Sequence, residues 1–443
     1  MHRNRTARRA HLSISNALTC GLIFAGAIQA QPPAPPTLTL QQAEQMALQN
    51  HPQIQAAQHE ANYSNQQITI NRSAYYPQIT GDLTGSEGND NARIGAGALA
   101  ASRLFDRLSP GAVLQQLITD SGRTPALVAS ARLQAQASQQ DVQTSRYGVL
   151  LAVNRAYFDV LRAQEVVKVA EKTVEARQTM DDQITQLARN QLRSQLDVAE
   201  ADVTVLKAKQ LLLAAQNAVH DAEAELGRAL GTDQAANYAL ADVTLPPGPP
   251  ATVDDMIAQA TANRPELASL RLSSDAAKKF AEAEKDLSKP TVSAIAVAGF
   301  IPLIKQEGST TVPLGYEGVA ANLSVPVFNG HLFAARRVAA QERALESDQK
   351  LRDEQERILR DVRTAYSGAI TSYQLIDVTA ATLRAAAEAL DLANGRYTYQ
   401  LVSIVELTTA QLDETAAEID SVNSKYDYEI QYSLLQYTIG QLR

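Results

Sequence analysis

The segment 149-VLLAVNRAYFDVLRAQEVVKVAEKTV-174 decides the fold. Within it Val149, Val153, Ala156, Val160, Ala163, Val167, Ala170 and Val174 alternate steps of four and three without a miss. That is the a/d spacing of helices packed side by side. The surrounding stretch, Arg123 to Arg189, has no proline after Pro125 and Gly148 as its only glycine, so nothing in it stops a helix. At 1.5 Å per residue the helix is about 100 Å long, several times an average globular one. A rod of that length needs a partner of comparable length. The next segment supplies it: Val198, Ala201, Val205, Ala208, Leu212, Ala215, Val219, Ala222, Leu226 and Ala229 keep the same spacing. The break between them, Asn190 to Gln195, predicts the tip of an antiparallel hairpin.

Working outward, the chain reads as two copies of one unit. Leu40 to about Ala74 predicts a helix interrupted at Asn50-His51-Pro52, because proline disfavours helical geometry in the residue before it. The same grammar returns from Asp254 to Ser288 with Asn263-Arg264-Pro265. Pro52 and Pro265 are 213 residues apart, and so are Pro77 and Pro290. Asp120-Ser121-Gly122-Arg123 and Phe328-Asn329-Gly330-His331, 208 apart, each launch a long helix. The tips match at 209: Leu192, Ser194, Asp197 and Val198 against Leu401, Ser403, Glu406 and Leu407. In the second copy the outgoing seam is read as Leu359, Val362, Tyr366, Ala369, Tyr373, Ile376, Ala380, Leu383, Ala387 and Leu390. The returning seam is read as Leu412, Ala416, Ile419, Tyr426 and Ile430.

These landmarks divide the chain. Residues 1–30 read as a signal peptide: Arg3, Arg5, Arg8 and Arg9, an apolar run from Ala17 to Ile28, and Ala30 before the cut. Cys20 sits inside that run instead of at its end, which does not suit a lipid anchor. A Pro-rich spacer covers 31–37. The first repeat covers 38–245, with a strand hairpin at about 78–121 and a helical hairpin at about 123–230. A Pro-rich linker covers 246–250, and the second repeat covers 251–443, with hairpins at about 291–328 and 331–441.

Between the short and long helices the pattern changes to period two. Thr80, Asp82 and Thr84 alternate with Ile79, Gly81 and Leu83, and Val319, Ala321, Leu323, Val325 and Val327 with smaller or more polar residues. One polar and one apolar face is the signature of outer-membrane strands. Tyr75, Tyr76, Phe300, Tyr316 and Phe328 fall near the strand ends, as an aromatic girdle requires. Two hairpins give four strands, fewer than the eight of the smallest membrane barrels, so a barrel needs several chains.

At this point the sequence resembles the TolC-like outer-membrane efflux family over essentially its whole mature length. The resemblance rests on the duplicated Asn-X-Pro turns, Ser324-Val325-Pro326-Val327-Phe328-Asn329-Gly330, the two tips, and Tyr426-Asp427-Tyr428 ahead of Ile439-Gly440-Gln441-Leu442. It implies a mainly α fold with β. Tandem-duplicated antiparallel coiled-coil hairpins form a helical barrel, and four strands per chain contribute to a trimeric, twelve-stranded outer-membrane β-barrel. It implies an exit duct in the cell outer membrane, projecting into the periplasm. The partners implied are two more copies of the chain, outer-membrane lipid, a periplasmic adaptor, and an inner-membrane transporter of the RND, ABC or MFS class. It also implies a periplasmic constriction near Glu406, with Thr409 where a second carboxylate is common and Asp197 as the first-repeat counterpart. Adaptor docking is implied at Gln191, Leu192, Ser194, Gln400, Leu401 and Ser403. Gln191 and Gln400 both stand where the family commonly has glycine.

Composition narrows the alternatives. Apolar residues make up 45% and aromatic residues 5%, with no Trp, which suits close helix packing better than a core of large rings. Losing the four arginines of the signal takes the formal charge from −8 to −12, which argues against a nucleic-acid ligand. Cleavage also removes Cys20, the only cysteine, and with it disulfide and thiolate chemistry. His51, His59, His220 and His331 are scattered, and no catalytic, metal or cofactor motif surrounds them. Gly95, Gly97 and Ala100 mimic a dinucleotide fingerprint, but Gly88-Asn89-Asp90-Asn91 precedes them where a strand is needed, so a loop is expected. The rival from another class is a periplasmic coiled-coil adaptor, which leaves the matched strand hairpins without a purpose.

Overall fold

A computed structural model describes residues 37–87, 106–232, 238–249, 252–300, 303–305 and 315–442. The signal peptide, residues 31–36 of the spacer and the loop holding Gly95, Gly97 and Ala100 lie outside them. The element order is β1 (Thr37–Leu38), α1 (Leu40–Asn50), α2 (Pro52–Arg72), β2 (Gln78–Ser86), β3 (Asp106–Thr119), α3 (Arg123–Arg189) and α4 (Gln195–Leu230). It continues with β4 (Ala239–Leu240), α5 (Val253–Asn263), α6 (Pro265–Asp286), β5 (Thr291–Phe300), β6 (Leu303–Lys305), β7 (Gly315–Ser324), α7 (Leu332–Thr398) and α8 (Ile404–Thr438).

The two copies match closely. α3 and α7 are 67 residues each, and their returning partners α4 and α8 are 36 and 35. His51 and Arg264 break the short helices at extended φ/ψ, with proline opening the helix that follows. β7 stops at Ser324, short of Val325 and Val327, because Pro326 brings no N–H to continue a ladder.

The helices form a wall one layer thick. Near the sheet they pack in the order α2, α3, α6, α7; toward the tips the order is α4, α3, α8, α7. The core gathers at the waist between the two zones. There Tyr157, fully buried, donates its hydroxyl to Leu38 O at 2.9 Å and Ala241 O at 2.6 Å, tying the parallel pair β1 and β4 to α3. The second repeat builds its counterpart from Met256, Leu267, Ile358, Val362 and Leu435.

The first seam holds: Val149, Val153, Ala156, Val160 and Ala170 are buried, and Ala163, Val167 and Val174 half-buried. The second seam is corrected. Val362 and Ala369 are inside, but alternate positions shift by one, so Ser372 and Thr379 are buried while Tyr373 is exposed. Thr379 meets the Ser424 hydroxyl of α8 at 2.8 Å, which lets a polar pair occupy the seam. In α8 the buried face runs through Ile404, Leu407, Gln411 and Thr415, not Leu412 and Ala416.

Candidate functional site

Two regions carry the chemistry, the hairpin tips and the sheet. Each tip closes its outgoing helix with the same paired bonds. Leu192 N donates to Leu187 O and Gln191 N to Ala188 O, both at 2.9 Å; Leu401 N donates to Arg396 O at 2.9 Å and Gln400 N to Tyr397 O at 3.0 Å. This closure places one residue in the left-handed region, and Gln191 and Gln400 both have φ 60°. A residue with a Cβ is strained there, which explains why glycine suits the position. Leu192 and Leu401 project into solvent at 58% and 68% exposure.

The returning helices start on Ser194 and Ser403, whose hydroxyls accept from Asp197 N and Glu406 N. From there the copies diverge. Asp197 turns back to accept from Ser194 N at 3.0 Å, completing a capping box. Glu406 instead crosses the tip and takes Arg396 Nη1 at 2.9 Å, with both partners about half exposed. Thr409 spends its hydroxyl on Val405 O at 2.9 Å.

What joins the two tips came from residues the sequence did not single out. Arg193 donates Nη2 to Tyr397 O at 2.7 Å and lays its guanidinium 4.0 Å from the centre of the Tyr397 ring. Beneath it Ile184, Ala201, Ala393, Tyr397, Ile404 and Leu407 form a small shared core. Two turns up α3, Arg177 is 5% exposed and donates to Gln411 O at 2.6 Å and Thr415 Oγ1 at 3.0 Å. Burial lowers its pKa, with Glu414 opposing. This contact accounts for the inward-facing Thr415 hydroxyl, and the Gln411 backbone carbonyl supplies the second acceptor: a buried guanidinium must be hydrogen-bonded. Asp181 is also buried, and burial followed by Asp202 and Asp182 raises its carboxyl pKa. Beside the tips a groove of about 1110 Å³ runs between α3 and α7, lined by Lys172, Met180, Leu187, Arg193, Leu392 and Tyr399. No spacing rule pairs residues two hundred apart, so only the bare presence of Arg193 and Tyr397 at equivalent turns hinted at the contact.

The sheet has the antiparallel order β2-β3-β5-β7, with β6 pairing β3. The register puts Ile79, Leu83, Leu114, Ala296, Val319 and Leu323 on one face, and Thr80, Asp82, Gln115, Ser293, Asn322 and Ser324 on the other. Ile79, Leu83, Val319 and Leu323 are 64–86% exposed, so the apolar face is uncovered by the chain's own helices. Rings mark both ends: Tyr75, Tyr76 and Phe328 toward the helices, Phe300 and Tyr316 at the far end, all exposed. Among the described residues no helix is long and apolar enough to cross a membrane, and no three His, Cys, Asp or Glu side chains could hold a metal ion.

Comparison with known proteins gives a concordant result. The model of the outer membrane efflux protein family matches twice, at residues 43–232 and 256–441. The outer membrane efflux protein BepC of Brucella suis biovar 1 (strain 1330) is 25% identical over 297 residues, 66% of this chain and 61% of BepC, so the match spans under two thirds of that relative. The outer membrane protein TolC of Escherichia coli (strain K12) is 24% identical over 383 residues, 83% of this chain and 75% of TolC. The crystal structure of the outer membrane protein VceC from Vibrio cholerae superposes with a TM-score of 0.77 at 16% identity, covering 90% of this chain and 96% of VceC.

Proposed function

The chain belongs to the outer membrane efflux protein family, and on that premise we propose that three copies form a passive exit duct, supplied by an inner-membrane transporter through a periplasmic adaptor. It is an outer-membrane protein that extends into the periplasm. The observation that carries the trimer is the pair of open edges. At every level the wall begins with a first-repeat element, β2, α2 or α4, and ends with β7 or α7. Both edge helices leave apolar residues at coiled-coil spacing unpartnered: Leu196, Val203, Leu206 and Leu213 on α4, Leu375, Val378 and Leu392 on α7. Unlike edges make a head-to-tail contact, which closes as a ring where the rotation between chains returns to its start, as a third of a turn does after three copies. Three chains bring twelve strands, above the eight of the smallest membrane barrels, and the uncovered apolar sheet face then meets lipid.

The tips supply the gate and the docking surface. Gln191, Leu192, Ser194 and their counterparts Gln400, Leu401 and Ser403 form the end an adaptor would grip. We assign the ring of carboxylates to Glu406, which pairs with Arg396 in the single chain; Asp197, held in its capping box, is the weaker candidate, and Thr409 adds no charge. Solvent screens the half-exposed pairing with Arg396, and three carboxylates brought together at the axis attract cations. Planar-bilayer recording of the purified protein tests this. Glu406→Gln is expected to reduce cation selectivity and block by multivalent cations. Unchanged behaviour in Glu406→Gln, with both properties altered in Asp197→Asn, assigns the pore acid to the first repeat instead.

A further inference from the structure

Four junctions join the sheet to the helices: α2 to β2, β3 to α3, α6 to β5 and β7 to α7. They hold six basic residues, Arg72, Arg123, Lys285, Lys289, Arg336 and Arg337, against four acids, Asp120, Glu282, Glu284 and Asp286, of which Glu282 pairs with Lys279 at 2.8 Å. Each acid is already engaged. Asp120 accepts from Thr124 N and Oγ1, both at 2.6 Å. Glu284, 3% exposed, takes Arg336 at 2.6 Å with Arg123 at 3.9 Å, and Asp286 takes Lys289 at 2.7 Å. Among the described residues Arg72, Lys285 and Arg337 are exposed and have no acidic partner. Farther from the sheet the cations of the same helices are mixed: Lys278 pairs with Asp348 at 2.9 Å and Lys350 with Glu346 at 2.6 Å, whereas Arg132, Arg271, Arg343 and Arg363 have no acidic partner among the described residues. What sets the junctions apart is an excess of basic over acidic residues in a chain whose formal charge is −8, next to an exposed apolar wall.

The same level carries the exposed rings of Tyr75, Tyr76 and Phe328 and, just past the end of β7, Val327 at 93% exposure. Apolar wall, then rings, then free cations is the sequence of layers at a membrane–water interface. We propose that this collar, through Arg72, Lys285 and Arg337, binds the phosphate groups of anionic phospholipids in the leaflet facing the periplasm. The wall and rings favour a lipid headgroup over free phosphate, which has no use for them. The inference rests on the outer-membrane reading above.

Native mass spectrometry of the detergent-extracted full assembly, titrated with phosphatidylglycerol, phosphatidylethanolamine or inorganic phosphate, tests it. The wild type is expected to retain phosphatidylglycerol preferentially. At about 1 kcal/mol per cation, each substitution in the series Arg72→Gln, Lys285→Gln, Arg337→Gln should weaken retention about fivefold. Lys172→Gln, Lys207→Gln and Arg363→Gln, far from the sheet, should leave it unchanged. Equal retention of both lipids, equal loss in both variant sets, displacement by inorganic phosphate, or a changed ion selectivity with unchanged lipid retention overturns the collar alone. A wild-type protein recovered soluble from the periplasm overturns the outer-membrane reading, and the collar with it.

Discussion

Arg193 of the first tip sits face-on over the ring of Tyr397 in the second, 4.0 Å from its centre, and holds the Tyr397 carbonyl at 2.7 Å. One side chain thus couples the two hairpins by a cation–π contact and a charge-assisted bond. Together these contribute about 1–3 kcal/mol per chain. Arg193→Ala should let the tips splay and raise single-channel conductance. Arg193→Lys should restore only part, because an ammonium lacks the planar fork. Conductance traces of the two variants against wild type give the answer, and equal conductance in all three counts against the coupling.

Gln191 and Gln400 pose a second test. Both occupy left-handed positions, so glycine at either should relieve strain and stabilise its tip by about 1 kcal/mol. Hydrogen exchange at Leu192 and Leu401, whose amides close the tips at 2.9 Å, should slow in the matching variant. Faster exchange contradicts the strain argument.

Glu429 links stability to pH. It is 4% exposed, and its Oε1 has no hydrogen-bond partner. Burial, opposed by Lys425 and assisted by Asp242, pushes its carboxyl up to about 7. The folded state therefore holds the proton more tightly than the unfolded chain. The group's contribution is fully present below the unfolded value of about 4.3 and is lost as pH rises through the folded one. Glu429→Gln should raise thermal stability at about pH 8 by an amount worth roughly 1–3 kcal/mol, and hardly change it at about pH 4. Melting curves across that range decide; an equal gain at both ends refutes the linkage.

Packing supplies a graded prediction. Ala170 is fully buried, whereas Ala163 lines a groove of about 580 Å³ with Val166, Ala215, Ala222 and Ile419. Leucine at Ala170 should overpack the wall and cost about 1–3 kcal/mol, and leucine at Ala163 clearly less. Denaturation of both variants side by side reads the difference.

These residues also mark how far the sequence could be read. The Val149 to Val174 seam announced α3, and the paired Asn-X-Pro breaks announced the duplication, because period and proline geometry act locally. The second seam was misplaced for a physical reason. Ser372, Thr379, Gln411 and Thr415 are polar, so an apolar count skipped them, yet Thr379 and Thr415 find partners on a facing helix and Ser372 bonds carbonyls of its own, which makes their burial inexpensive. The Arg193–Tyr397 and Arg177–Gln411 contacts were illegible, since each joins residues more than two hundred positions apart. Glu406 and Asp197 looked equivalent at matching offsets, and only side-chain geometry separates an acid crossing its tip from one closing a cap.

The central claim is ring closure between unlike edges, and proximity cross-linking tests it most directly. Thr80→Cys on β2 and Ala320→Cys on β7 can be combined in one chain, where only Cys20 of the signal region competes. Within a chain the two edges are three strand spacings apart, roughly 14 Å, beyond a short bifunctional maleimide. Treating outer membranes should give a denaturing-gel ladder of one, two and three chains that stops at three, and each single-cysteine protein should give none. A ladder running past three, or no intermolecular product from a protein still folded in the membrane, contradicts the account.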